Sequence, residues 1–304
     1  AHNVNNSGLF QDMKRGFTHR SVQLGIAAMA EALDNAGLLE NGKLIDEVDK
    51  DRVGIYMGTV LGGSVEIGDD QRVVEQRGRA DARSTQKIDP HQISTTPSRL
   101  WEIHGPTVTF TTACSAGTQA IIAASEAIYS GKVDVAIAGG SDAFIMRSIM
   151  VKYFEALGGA LSRESNPSKA LRSYDQDPTG TVVGEGSGIV ILESEQHYKS
   201  RKGTGAFAQL AGFGEASDAF HPTNPNGYAT RKSLENTLQM MGPLNSDEFY
   251  LNGHGGGTPG DKIELEAILE AIKNIEALRE RELRNRLILN STKSSTTHMW
   301  GGAG

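Results

Sequence analysis

Apolar residues along the chain follow two different periods. Short runs rich in Val, Ile and Thr read as strands: Arg52–Val60, Pro106–Ala113, Val133–Gly139, Gly188–Glu193, Phe207–Gly212, Glu248–Leu251 and Leu287–Ser291. Between them the spacing turns helical. Over Gly16–Ala36 the apolar positions Val22, Ile26, Met29, Ala30 and Leu33 recur near 3.6 residues, and Gly37 ends the run. Ser115–Ser130, Tyr228–Met241 and Ile263–Arg286 predict three further helices. The charged run Glu276–Arg286 reads as a solvated helical face rather than a binding site.

Strands alternating with helices predict an α/β sheet. Two of the strand ends, at Ala113 and Leu251, run directly into small-residue loops that carry a reactive side chain. Ligands gather at the carboxyl ends of strands in such sheets. Two such ends in succession predict a duplicated architecture with one shared active site, its halves spanning residues 1–204 and 205–304.

Composition narrows the function classes. A length of 304 residues supplies ample core without covalent staples. The single cysteine excludes an intrachain disulfide framework and any multi-cysteine metal site. A formal charge of −7 argues against a general nucleic-acid binder. No apolar run approaches the roughly 18 residues of a membrane span, and the first residues lack the pattern of a signal peptide. The expectation is a soluble enzyme of a reducing compartment. Thirty-six glycines exceed the usual share of about 7% and predict tight turns or close backbone approaches.

Three segments carry the candidate chemistry. Cys114 sits in Thr-Ala-Cys-Ser-Ala-Gly, where a strand pattern ends and a small-residue helix begins. A thiol at a helix N-terminus is biased toward thiolate, while a buried structural cysteine fits the same residues. His254 lies in Asn-Gly-His-Gly-Gly-Gly-Thr, with four glycines within Gly253–Gly257; the spacing matches neither common phosphate-loop pattern. Taken alone it is an ordinary turn histidine. Lys293 and His298 share the turn Lys-Ser-Ser-Thr-Thr-His after the last strand. Together, one thiol and two imidazoles at strand ends supply a nucleophile and two N–H donors. That set suits acyl transfer through a thioester followed by stabilisation of an enolate. A zinc site at His254 and His298 would lack the third and fourth ligands zinc usually takes.

At these residues the chain resembles the β-ketoacyl-acyl-carrier-protein synthases, in the Cys-His-His branch that includes KAS I/II and polyketide ketosynthases. The stretches Arg172–Gly188 and Val135–Gly140 share in the resemblance, which runs along essentially the whole chain. It implies a thiolase-like five-layer αβαβα sandwich of two duplicated halves, truncated here at both ends. It further implies decarboxylative Claisen condensation in fatty-acid biosynthesis. Cys114 would hold the acyl group, His254 and His298 would bind the malonyl thioester carbonyl, and Lys293 would hold the local charge. Thr258 would bind the pantetheine arm, and no metal or organic cofactor is implied. Implied partners are an acyl-carrier protein and a second copy, joined near Pro106–Ala113; Lys14, Arg15 and Arg20 are candidates for the carrier's docking patch. The implied compartment is the cytoplasm, or a mitochondrion or plastid. Polyketide ketosynthases, thiolase-type acyltransferases and non-catalytic ketosynthase-like subunits are the alternatives. Three departures stand out: Gly256 replaces a threonine, Thr297 replaces a glycine, and the family's Gly-Phe-Gly-Gly turn is not within these residues.

Overall fold

A computed structural model describes residues 19–80, 84, 88–143, 145, 152, 154–156, 160–221, 224–242, 249–274 and 287–303. The chain divides into two compact units. One comprises Ala1–Ser148, Gly184–Ala208 and Met299–Gly304; the other comprises Ile149–Val183 and Gln209–His298.

The first unit is built on a four-stranded sheet in the order β4-β3-β5-β6, with β3 Val53–Gly58, β4 Thr107–Phe110, β5 Val135–Asp142 and β6 Gly186–Glu193. β3 is parallel to β4 and β5, and β6 closes the other side antiparallel to β5. A short hairpin, β1 Leu39–Glu40 with β2 Lys43–Leu44, precedes the sheet. The two faces differ in side-chain size. Val53, Ile55 and Met57 of β3 and Val135 and Ile137 of β5 cluster with Val22, Ile26, Met29 and Leu33 of helix α1, Arg20–Asn35. Complete burial of such side chains contributes about 1.5–3 kcal/mol each. On the opposite face Ala136 and Ala138 meet Ala120, Ala124 and Ala127 of α4, Ala116–Tyr129. Small residues on both sides let this helix lie close to the sheet. A Cβ on Gly58, the last residue of β3, would collide with the Ala116 and Gly117 backbone. The sheet's carboxyl end and the start of α4 are therefore in direct contact.

Two helices of this unit escape the pattern reading. α2, Ser64–Arg77, is largely polar, and α3, Gln92–Trp101, contains Pro97, which removes a helical donor. A last helix, α5 Glu195–Ser200, follows β6.

In the second unit, β7 Phe249–Asn252 pairs in parallel with β8 Leu287–Asn290. Phe249, Leu251, Leu287 and Leu289 pack around Ile268 and Ile272 of α7, Gly260–Asn274. α6 occupies Tyr228–Met241, the range its spacing predicts. The part of the expected last helix beyond residue 274 lies outside the described residues.

The expected strand Phe207–Gly212 is not one: these residues join no ladder. Phe207 is 96% exposed, so its run of apolar letters marks no buried face among the described residues. Gly212 and Gly214 instead press against the α6 backbone at Thr237 and Ser233.

Candidate active site

Cys114 belongs to the first unit. β4 ends at Phe110, and a single 3₁₀ turn, Ala113–Ser115, separates it from α4. The expected strand therefore stops three residues early, and the thiol sits just before the helix instead of abutting the strand. Ala113 takes φ 54°, a left-handed conformation that costs a non-glycine residue roughly 1–2 kcal/mol. The reversal is steadied by the Ser115 hydroxyl, which donates to the Thr112 carbonyl at 2.8 Å. Cys114 itself is half-buried.

His254, Lys293, His298 and Thr258 all belong to the second unit. His254 leaves the end of β7 on a loop clamped by two carboxylates of α7. Glu264 accepts the backbone N–H of His254 at 2.6 Å and of Gly255 at 2.9 Å. Asp261 accepts those of Gly257 at 3.0 Å and Thr258 at 3.3 Å, and a third from Tyr174 at 3.0 Å. The Tyr174 hydroxyl donates to Glu264 at 3.0 Å. From the other side, Ser291 Oγ donates to the His254 carbonyl at 3.0 Å and Ser173 Oγ to that of Gly255 at 2.6 Å.

The glycines here serve the backbone as much as they open space. A Cβ on Gly253 would collide with the Tyr174 hydroxyl, and Gly255 takes φ 44° against Ser291. Thr258 stands in the turn that starts α7, its carbonyl accepting the Asp261 N–H at 3.0 Å.

The second histidine arrives from β8. The short helix α8, Lys293–Thr296, buries Lys293 and ends at Thr297, with φ 64° and ψ 178°. A β-branched residue in this region is strained. Next in the chain, His298 is buried, and its N–H donates to the Val182 carbonyl at 2.8 Å. The two imidazoles meet edge to face, centroids 5.1 Å apart and planes 83° apart.

Electrostatics keep both rings neutral. Burial, then the His254 ring and the Lys293 charge, push His298 down to about 3. His254 is exposed at its surface edge, yet the protein around its ring lowers it first and the Lys293 charge second, against the weaker pull of Glu264 and Asp261. Tyr174 is pushed upward by burial and by the negative charge of Glu264, so it stays a phenol that donates. A neutral imidazole has one N–H to donate and one bare nitrogen. The second unit thus presents two neighbouring neutral imidazoles beside a buried lysine, an arrangement suited to hydrogen-bonding a carbonyl that gains negative charge.

Sequence reasoning missed Glu264, Asp261 and Tyr174. Thr258 followed three residues later by Asp261 is the kind of spacing that marks a helix start, and it was the available signal for the clamp. Tyr174 falls within the stretch Arg172–Gly188 that shares in the resemblance, but no spacing ties it to partners some ninety residues later.

Two family models cover nearly the whole chain. The one described as beta-ketoacyl synthase, N-terminal domain, matches residues 6–197, and beta-ketoacyl synthase, C-terminal domain, matches residues 207–304. The chain is 33% identical over 273 residues to 3-oxoacyl-[acyl-carrier-protein] synthase 2 of Rhizobium meliloti, covering 85% of this chain and 61% of that protein. It is 30% identical to the enzyme of the same name from Vibrio cholerae, covering 93% and 66%. With the mitochondrial 3-oxoacyl-[acyl-carrier-protein] synthase of Arabidopsis thaliana the figures are 31%, 92% and 59%. The chain thus spans less than two thirds of these relatives' lengths. Among solved structures, a type II polyketide acyl-carrier protein in complex with its ketosynthase matches with TM-score 0.81 at 27% identity, covering 93% of this chain and 69% of that one.

Proposed function

The chain belongs to the beta-ketoacyl synthase family and shares its thiolase-like α/β fold, and on that premise we propose that it serves a 3-oxoacyl-acyl-carrier-protein synthase reaction. In the first half-reaction the Cys114 thiolate attacks the carbonyl of an acyl thioester. A C–S bond forms to Cys114 and the carrier thiolate leaves. A malonyl thioester then binds with its carbonyl oxygen facing His254 and His298. As the carboxylate departs as CO₂, the electron pair passes into an enolate whose oxygen takes hydrogen bonds from the two imidazoles. The enolate carbon attacks the acyl-Cys114 carbonyl, the Cys114 thiolate is expelled, and a β-ketoacyl thioester results.

The observation that carries this reading is the edge-to-face pair of His254 and His298, ring centroids 5.1 Å apart, with Lys293 buried in the same turn as His298. An imidazolium would protonate the enolate; a neutral N–H donates without surrendering a proton. Burial, with the charge of Lys293 adding to it, holds the rings in that state, and Thr258 contacts the pantetheine arm. The Cys114 backbone N–H supplies one oxyanion donor, and loss of such a donor typically costs on the order of 10²–10³ in rate.

The acyl-carrier protein is the partner in this reading, supported by the solved complex that resembles this chain. Arg20 is an exposed candidate for docking it; Lys14 and Arg15 lie outside the described residues. Two copies join through β4, the outer strand of the first unit's sheet. The names of the relatives favour fatty-acid service, with polyketide synthesis the second reading because of the polyketide ketosynthase match. No helix among the described residues is long and apolar enough to cross a membrane. The cytoplasm, or an organelle as for the mitochondrial relative, is the compartment we infer.

Incubation with a labelled acyl-carrier protein, followed by mass spectrometry of the Cys114 peptide, tests the first step: an unmodified peptide overturns it. Cys114→Ala is expected to abolish condensation yet retain malonyl decarboxylation, whereas His254→Ala loses decarboxylation. Equal loss in both variants contradicts the assignment.

A further inference from the structure

Asp142, the last residue of β5, is completely buried and has no part in the steps above. Its Oδ1 accepts the Thr59 hydroxyl at 2.8 Å and the Val60 and Leu61 amides at 3.1 and 3.4 Å. Its Oδ2 accepts Val60 N–H at 3.0 Å and Gly301 N–H at 2.7 Å. One carboxylate therefore ties the loop leaving β3 to the turn Trp300–Ala303, a segment that begins two residues after His298.

Joining two loops does not by itself call for a buried charge. Well-packed apolar residues often do such work at lower cost, because a carboxylate taken out of water must recover its hydration from protein donors. The cost is visible in Asp142: burial pushes its carboxyl up to about 6 despite hydrogen bonds from Thr59, Val60, Gly301 and Leu61.

The Gly301 peptide shows what the strong acceptor achieves. While its N–H is held by Asp142, its carbonyl oxygen lies so close to Gly117 and Gly140 that a Cβ on either would collide with it. Gly117 is in the first turn of α4, three residues beyond Cys114. Gly301 is thus held through its N–H by the carboxylate, while its carbonyl packs against Gly117, the second residue of the nucleophile's helix. The same Gly301 has no room for a side chain, because a Cβ would meet Asp142 Oδ2 and the Thr59 backbone.

We propose that Asp142 is a positioning residue for the nucleophile, holding the Gly301 peptide against the turn that presents Cys114 to its thioester. This deepens the reading of Cys114 as the acyl acceptor and rests on it. Asp142→Asn keeps the size of the side chain but turns an NH₂ group toward backbone N–H donors on one side or the other, so the tie between the two loops is broken. The experiment compares two rates. Acylation of Cys114 by an acyl-carrier protein is expected to fall at least 10-fold in Asp142→Asn. Malonyl decarboxylation, measured with and without Asp142→Asn in a Cys114→Ala background, is expected to change less than 3-fold. Thr59→Val, which removes a single donor to Oδ1, is expected to shift the ratio the same way by a smaller factor, and it carries the test if Asp142→Asn does not fold. Unchanged acylation, or equal loss of both rates, overturns the proposal. A wild-type protein that takes no acyl group at Cys114 instead overturns the reading beneath it.

Discussion

Glu264 holds the main chain of His254, accepting its N–H at 2.6 Å while its second oxygen takes the next N–H in the chain, from Gly255, at 2.9 Å. The histidine's position is thus set from α7 rather than by the strand that delivers it. Tyr174 donates its hydroxyl to the same carboxylate at 3.0 Å.

Glu264→Gln replaces one of these acceptors with a donor facing an amide. A buried amide left without an acceptor costs about 1–3 kcal/mol. The expected outcome is a fall of at least 10-fold in decarboxylation, read in a Cys114→Ala background, together with a lowered melting temperature. Tyr174→Phe removes one hydrogen bond and leaves both amides held, so its effect on decarboxylation is expected to be several-fold smaller. A larger loss in Tyr174→Phe than in Glu264→Gln contradicts this division of labour.

Buried titratable groups set the response to acid. Burial holds His298 at about 3 and His19 at about 4, whereas an unfolded imidazole titrates near 6.5. As the pH falls below about 6.5 the unfolded chain takes up protons that the folded one refuses, so both histidines lower stability. Asp142 acts in the opposite direction: its folded carboxyl titrates at about 6 and its unfolded one near 3.8, so acid favours the fold between those values. At pH 5 the two histidines together cost on the order of 4 kcal/mol and Asp142 returns on the order of 1 kcal/mol. The melting temperature is expected to be lower at pH 5 than at pH 7.5, and the difference to shrink in His298→Asn. An unchanged melting temperature over this range rejects the linkage.

The strand-end chemistry was open to sequence reasoning because it is local. Cys114, His254 and Lys293 each lie within four residues of the end of a strand whose pattern is plain, and His298 follows in the same turn as Lys293. The groups that hold them are of another kind. Glu264 and Asp261 act from a helix back onto a loop, Tyr174 reaches them from some ninety residues earlier, and Asp142 binds Val60, 82 residues before it, and Gly301, 159 residues after it. No period or spacing encodes such pairings. The misread strand Phe207–Gly212 shows the complementary failure: apolar letters predict burial only where a second surface exists to cover them.

Thr297 stores strain next to the second histidine. With φ 64° and a branched Cβ, it occupies a region suited to glycine, at a cost of order 1–3 kcal/mol. Thr297→Gly removes that cost but gives the unfolded chain more freedom, worth about 0.4–1 kcal/mol in the other direction. The net expectation is a melting temperature raised by a degree or more. Thr297→Ala, which keeps a Cβ, is expected to recover less. A lower melting temperature in Thr297→Gly shows that contacts of the threonine side chain outweigh its strain.

β4 bounds the first unit's sheet, and the strand that runs on toward Cys114 has one partner, β3, among the described residues. An outer strand offers unpaired N–H and C=O groups, and a second copy of the same strand satisfies them symmetrically. Val108, on this strand and 36% exposed, is the position at which to interrupt such pairing without entering the core. Val108→Glu brings two like charges into a symmetric interface while leaving the Ile55, Met57 and Ile137 core untouched. Sedimentation is expected to show a dimer for the parent protein and a concentration-dependent shift toward monomer for Val108→Glu. Because Cys114 lies four residues beyond the strand, loss of the second copy is also expected to slow its acylation. A parent protein that sediments as a monomer, or a variant as dimeric as its parent, rules out β4 as the joining strand.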